Sequence, residues 1–192
     1  MKKYLAIVAP IGAGKTTVAN YFVSKGFTLY KLSFAIYDEA EKRGLDKEDR
    51  TTLQDLGDEM RNKGGYDVLA KKAVEIIKRN PENNYVIDSI RNHHELMCLK
   101  NYLGDDLLIL AIDADIRIRY DRVVKRQGQY KEQKLTYEEF EKINKRDMGL
   151  SNKPNEQNVA KCLELAEEII QNIKDEQFLI EQINTIYNKY FK

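Results

Sequence analysis

The chain has 192 residues, with 32 Lys and Arg against 31 Asp and Glu, a formal net charge of +1. Hydrophobic residues at 42% and charged residues at 33% suit one globular domain with a sizeable core. This balance excludes the global basicity of a general nucleic-acid binder, and no apolar run approaches the ~18 residues of a membrane-spanning helix.

The first strand-like run covers 4–9 and leads into Ala9-Pro10-Ile11-Gly12-Ala13-Gly14-Lys15-Thr16-Thr17. Lys2 and Lys3 precede it, as in a signal peptide, but the run is too short and ends in the Gly-rich loop, so no targeting segment is expected. Val18, Ala19, Phe22 and Val23 then recur at helical spacing. Strand, Gly-rich loop, Lys, Thr and helix together turn a Walker A match into a mechanism. Loop N–H groups and the helix N-terminus point at phosphates. Lys15 can bridge the β- and γ-phosphates of ATP, and the Thr16 hydroxyl can ligate Mg²⁺. Ala9 stands where the usual pattern has its first glycine, while Gly12 and Gly14 remain where the backbone must approach the ligand. Gly12, Ala13, Gly14, Lys15, Thr16 and Thr17 are the expected ATP-binding residues. A glycine-rich turn with an incidental lysine is the competing reading, and the flanking strand and helix argue against it.

A second strand is expected over 27–32. In 33–66, Ser33-Phe34-Ala35 starts a helix, and a second helix holds Leu53, Leu56 and Met60 with Arg50 and Arg61, ending at Gly64-Gly65. Such a helical segment would border the crevice and bind a second substrate; Arg50 and Arg61 either contact it or face solvent. A helix over 67–79 follows, with Asp67 as N-cap. The third strand, 84–88, ends in Asp88. Asp88 fits a Walker B carboxylate that holds Mg²⁺, and it also fits a cap for the helix beginning near Asn92; the phosphate loop favours the first. Arg91 could fork onto an acceptor phosphate or pair with Glu95 at i+4. The adjacent His93 and His94 point about 100° apart on a helix and form no i,i+4 metal pair.

The fourth strand, 106–113, precedes a helix over 116–126 in which Arg122 and Arg126 share a face. A polar stretch then leads to a capping box, Thr136 with Glu139, that starts a helix carrying Lys145 and Arg146. Arginines on both sides of a polar segment make a lid: closure would set Arg122, Arg126 and Arg146 on the transferring phosphoryl and exclude water. A solvated helix face is the alternative. A fifth strand, 166–171, and a helix over about 177–190 complete the chain. Cys98 and Cys162 stand far apart and suit a reducing, cytoplasmic setting. Alternating β and α elements predict an α/β fold with a parallel sheet, whose ligands sit beyond the carboxyl ends of the strands.

Over most of its length the chain resembles the nucleoside monophosphate kinase and dephospho-coenzyme A kinase group of P-loop kinases. Asp88-Ser89-Ile90-Arg91 is similar to the Asp-Gly-Phe-Pro-Arg run of adenylate kinases, without the proline. Arg122 and Arg126 match their Arg-x-x-x-Arg at the lid entry, and Arg146 is the candidate for their later lid arginine. Ser33-Phe34-Ala35, Leu53-Gln54-Asp55-Leu56-Gly57 and the run from Asp88 to Glu95 look like segments of phage-type deoxynucleoside monophosphate kinases. The stretch from Gln157 to Ala166 looks like kinase-like domains found beside deoxycytidylate deaminases. The acceptor-helix arginine of adenylate kinases falls near Asp38 here, and the lid has no Cys cluster for zinc.

The resemblance implies a three-layer P-loop NTPase fold with a five-stranded parallel sheet in order 2-3-1-4-5. It implies one domain over 1–192, with a core of 1–32, 67–126 and 147–192, a helical acceptor-binding insertion at 33–66 and a short lid at 127–146. The expected activity moves the γ-phosphoryl of ATP, with Mg²⁺, to a nucleoside or deoxynucleoside monophosphate-like acceptor. Lys15, Asp88, Arg91, Arg122, Arg126 and Arg146 would be catalytic, and Thr16 and Asp88 would hold the metal. Ser33, Arg50, Arg61, Arg91 and Glu95 would bind the acceptor, and Arg122 and Asn172 would flank the adenine. A small-molecule nucleotide is the expected partner, with no membrane; nucleic-acid ends are a third acceptor class, disfavoured by the charge balance, and oligomeric state is unassigned. Two alternatives stand beside this: a nucleotide-binding regulator that phosphorylates nothing small, and a dephospho-coenzyme A kinase-like enzyme.

Overall fold

The computed structural model describes residues 1–127, 135–149 and 157–192, with Arg50, Thr51, Arg126 and Gln127 described by backbone alone. In chain order the elements are β1 (Tyr4–Val8), α1 (Lys15–Ser24), β2 (Thr28–Lys31), α2 (Phe34–Lys42), α3 (Arg50–Gly64), α4 (Val68–Arg79), β3 (Tyr85–Asp88), α5 (His93–Leu103), β4 (Leu107–Asp113), α6 (Ile116–Gln127), α7 (Tyr137–Met148), α8 (Val159–Glu164), β5 (Glu168–Gln171) and α9 (Glu176–Tyr190). The strands form a parallel sheet in the order β2-β3-β1-β4-β5, as expected.

Side chains alternate across a strand, so the central strands β1, β3 and β4 feed two cores. Tyr4, Ala6 and Val8 of β1, with Leu107, Ile109 and Ala111 of β4, pack against α4 and α5 through Leu69, Ala73, Ile77, Leu96 and Leu99. Leu5 and Ile7, with Leu108, Leu110 and Ile112, pack on the other face against Val18 and Phe22 of α1 and Leu179 and Ile183 of α9. Burial on both faces is why these strands read as unbroken apolar runs. No helix among the described residues is long and apolar enough to cross a membrane.

Capping chemistry sets the helix entries near the crevice. The Glu139 N–H donates to Thr136 Oγ1 at 3.2 Å and the Thr136 N–H to Glu139 Oε2 at 2.8 Å, the box that the spacing predicts. Asp88 does not cap α5. Asn92 does, its Oδ1 accepting from the His94 N–H at 2.9 Å, which leaves Asp88 free to face the phosphate loop. The sequence reading missed α8, whose six residues are too short to show a period.

At the sheet edge, Glu168 of β5 accepts hydrogen bonds from the Lys189 ammonium, at 2.6 Å, and from the Tyr190 hydroxyl. These bonds hold its carboxyl below the usual range. A depressed carboxylate stabilises the fold above its unfolded pKa of about 4.3 and ceases to as pH falls through the folded value. Glu168→Gln is therefore expected to melt below wild type at neutral pH, with the gap closing on acidification. Thermal melts across that pH range check it.

Candidate active site

β1 ends at Val8 and α1 begins at Lys15, so a six-residue turn crosses the carboxyl edge of the sheet. Gly12 and Gly14 hold φ of +81° and +107°. A Cβ on Gly12 would lie 2.6 Å from the Arg119 carbonyl oxygen, and one on Gly14 would lie 2.4 Å from Asn172 Nδ2. Conformation and space both demand glycine at these two positions. No side chain caps α1, so its first N–H groups remain open to an anion.

Lys15 Nζ donates to Asp88 Oδ1 across the gap between the first and third strand ends. Burial pushes the Lys15 ammonium pKa down, against the Asp88 charge, which holds it up. The Ser89 N–H donates to the same Asp88 oxygen, and Ser89 adopts φ +65°, uncommon for a residue with a side chain. That left-handed residue turns the chain sharply between Asp88 and Arg91. Thr16 lies exposed in the first turn of α1. Its hydroxyl and the Asp88 carboxylate are hard oxygen donors, of the kind that could hold Mg²⁺. Among the described residues no cluster of three His, Cys, Asp or Glu offers a softer metal site.

A cleft of about 700 Å³ runs over the loop, lined by 12–17, Arg91 and Arg122. A second pocket, about 230 Å³, is lined by Ser33, Gln54, Arg61, Arg91 and Arg146 among others. Arg91, Tyr37 and Leu53 line both, so the two cavities adjoin. The structure thus brings Ser33, Arg61, Arg91 and Arg146 to one pocket and the loop residues with Arg122 to the other.

Glu95 is a correction. It is wholly buried and does not line the pocket. Its Oε1 accepts from Arg61 Nε at 3.1 Å and Nη2 at 2.9 Å, and its Oε2 accepts from the main-chain N–H of Arg91 and Asn92, each at 3.2 Å. A carboxylate so fully used supports Arg61 and the Arg91 main chain from behind the pocket. The side-chain pair between Arg91 and Glu95, the alternative to a phosphate contact, does not form. Arg91 Nη1 instead donates to Asp147 Oδ2 at 2.9 Å and Gln157 Oε1 at 3.3 Å.

On the far flank of the loop, Arg122 Nη2 donates to Asn172 Oδ1 at 3.1 Å and to the Lys174 carbonyl at 3.2 Å. Asn172 Nδ2 in turn donates to the Ala13 carbonyl at 2.8 Å. Arg122 Nη1 is buried with no hydrogen-bond partner among the described residues, and burial lowers the guanidinium pKa. Arg122 and Asn172 therefore meet beside the loop. The side chains of Arg50 and Arg126, and 128–134 of the expected lid, lie outside the described residues.

Sequence reasoning missed Arg119, Asn144, Asp147 and Gln157. Arg119 is buried; its Nε donates to the Ala114 carbonyl at 2.9 Å, and its Nη1 to the Ile11 carbonyl at 3.1 Å and Asn144 Oδ1 at 2.8 Å. One signal was available: Phe140, Asn144 and Asp147 fall at i, i+4 and i+7 on α7, a core stripe with polar residues at two of three positions.

Residues 5–149 match the family described as an AAA domain. A UPF0200/UPF0201 protein of Archaeoglobus fulgidus is 26% identical over 192 residues, which cover 99% of this chain and 56% of that protein. The chain thus spans little more than half the length of that relative. Among solved structures, shikimate kinase from Acinetobacter baumannii in complex with shikimate aligns with a TM-score of 0.57 at 15% identity, covering 100% of this chain and 97% of that one. Dephospho-CoA kinase from Campylobacter jejuni aligns with a TM-score of 0.56 at 15% identity, covering 99% and 98%. At these identities the likeness establishes a fold shared with P-loop kinases.

Proposed function

We propose, from the premise that this chain belongs to the AAA domain family, that it transfers the γ-phosphoryl of Mg·ATP to a nucleoside or deoxynucleoside monophosphate-like acceptor. The observation that carries this reading is Arg91: it lines both the phosphate-loop cleft and the adjoining pocket, three residues from the Asp88 that holds Lys15. A cation shared by two adjoining cavities suits a reaction between two anionic substrates.

The loop N–H groups and Lys15 would bind the β- and γ-phosphates, Lys15 exchanging Asp88 for phosphate oxygen. Asp88, so released, and Thr16 would hold Mg²⁺, whose charge offsets that of the phosphates when bound. Arg61, Arg91 and Arg146 would orient the acceptor phosphate. One of its oxygens then attacks the γ-phosphorus in line, the bond to the β–γ bridging oxygen breaks, and ADP leaves. Arg122 and Asn172 would flank the adenine, and the segments 33–66 and 127–146 would serve as acceptor insertion and lid.

The test is ADP formation from Mg·ATP against ribo- and deoxynucleoside monophosphates and dephospho-coenzyme A. Strong stimulation by a monophosphate supports the reading and names the acceptor. Stimulation by dephospho-coenzyme A alone would reassign the acceptor, and ATP binding without stimulated turnover would overturn the phosphotransferase in favour of a regulator.

A further inference from the structure

Two buried polar side chains lie on one face of α7, and each reaches a different half of the site. Asn144 accepts from Arg119, which bonds the Ile11 carbonyl of the phosphate loop. Asp147, one turn on and almost fully buried, accepts from Arg91 Nη1. A helix held only for stability would carry apolar residues here, because burying a polar group is costly unless it is hydrogen-bonded. Residues three apart on a helix share a face and keep a fixed separation.

We infer that α7 sets the spacing between the phosphate loop and Arg91, with Asn144 and Asp147 as positioning residues that act through Arg119 and Arg91. The consequence for an acceptor rests on the phosphotransfer reading above; the tie between helix, loop and Arg91 does not. Neither residue touches substrate. Asp147 keeps the Arg91 guanidinium at the wall between the two cavities, and Asn144 keeps the loop at a matching height. Loss of either member moves one half of the site and leaves the other in place.

Two readouts on the full chain test this without turnover. Phenylglyoxal labelling with peptide mass spectrometry reports Arg91, and titration calorimetry with Mg·ATP reports the loop. Asp147→Ala is expected to speed Arg91 labelling about fivefold at unchanged ATP affinity, the equivalent of one hydrogen bond. Asp147→Asn, which keeps an oxygen facing Nη1, is expected to fold and to label at an intermediate rate. Asn144→Ala is expected to weaken Mg·ATP about fivefold and to leave Arg91 labelling unchanged. With a stimulating monophosphate, Asp147→Ala should raise its KM about tenfold with a far smaller change in kcat. Wild-type labelling of Arg91 in both Asp147 variants, or equal effects of Asn144 and Asp147 substitution on both readouts, would overturn the inference. Absence of stimulated turnover with the expected labelling and calorimetry would sink the phosphotransfer reading and leave this one standing.

Discussion

Lys15→Ala is expected to lower acceptor-stimulated ADP formation by at least about 10²- to 10³-fold, the loss seen when one preorganised donor to a developing charge is removed. Lys15 begins α1 directly after the open loop, and its ammonium already reaches across to Asp88. Burial weakens its hold on the proton while Asp88 sustains the charge, so an incoming phosphate replaces one anionic partner with another. The fold should survive the substitution with a lower melting temperature, because the buried Asp88 loses its cation and keeps the Ser89 N–H. The glycines, the tie from Asn172 to Ala13 and the bond from the Ser89 N–H to Asp88 do not involve the Lys15 side chain. Circular dichroism melts beside the ADP assay separate the two effects. Turnover within tenfold of wild type in a folded variant would remove Lys15 from the mechanism. Lys15→Arg is not expected to rescue, because a planar fork on a longer stem cannot reproduce a point charge in a tight loop.

Arg61→Ala carries the largest expected effect on stability, a loss of about 3–5 kcal/mol. Glu95 is wholly buried, and Arg61, itself 6% exposed, is the cation on its Oε1. Removing the guanidinium strands a carboxylate with no solvent to take its charge. Net stabilities of domains are about 5–15 kcal/mol, so the variant would be close to unfolding. Urea unfolding measures the loss. The double variant Arg61→Ala with Glu95→Gln should recover part of it, since the stranded charge is gone. A single variant within 1 kcal/mol of wild type (on the order of a surface substitution) would show that Glu95 does not depend on Arg61. Because Glu95 Oε2 also takes the Arg91 and Asn92 N–H groups, the pocket lined by Arg91 should loosen together with the fold.

The strands and the phosphate loop were legible in the chain itself, for a local reason. The central strands β1, β3 and β4 are short apolar runs because both their faces are buried, and α4 and α7 carry their own period, α7 with the expected capping box, whereas the Asp67 side chain makes no capping bond to α4. The phosphate-loop residues are contiguous from 9 to 17, so one window of sequence holds that half of the site. The Asp88 carboxylate could be found at its strand end, and Arg91 three residues on. What supports Arg61, Arg91 and Arg119 could not be read in this way. Asp147 meets Arg91 from 56 residues away, Glu95 meets Arg61 from 34, and Asn144 meets Arg119 from 25. Arg91 also had a candidate partner at i+4, and the burial of Glu95 behind Arg61 decided against it. Hydrophobic period, turns and caps depend on neighbours within a few residues, so the sequence by itself determined most of the elements, the parallel sheet and the phosphate loop, while the strand order followed from the family resemblance. Which carboxylate holds which guanidinium depends on how α3, α5 and α7 pack around the crevice, and the tertiary structure alone decided it.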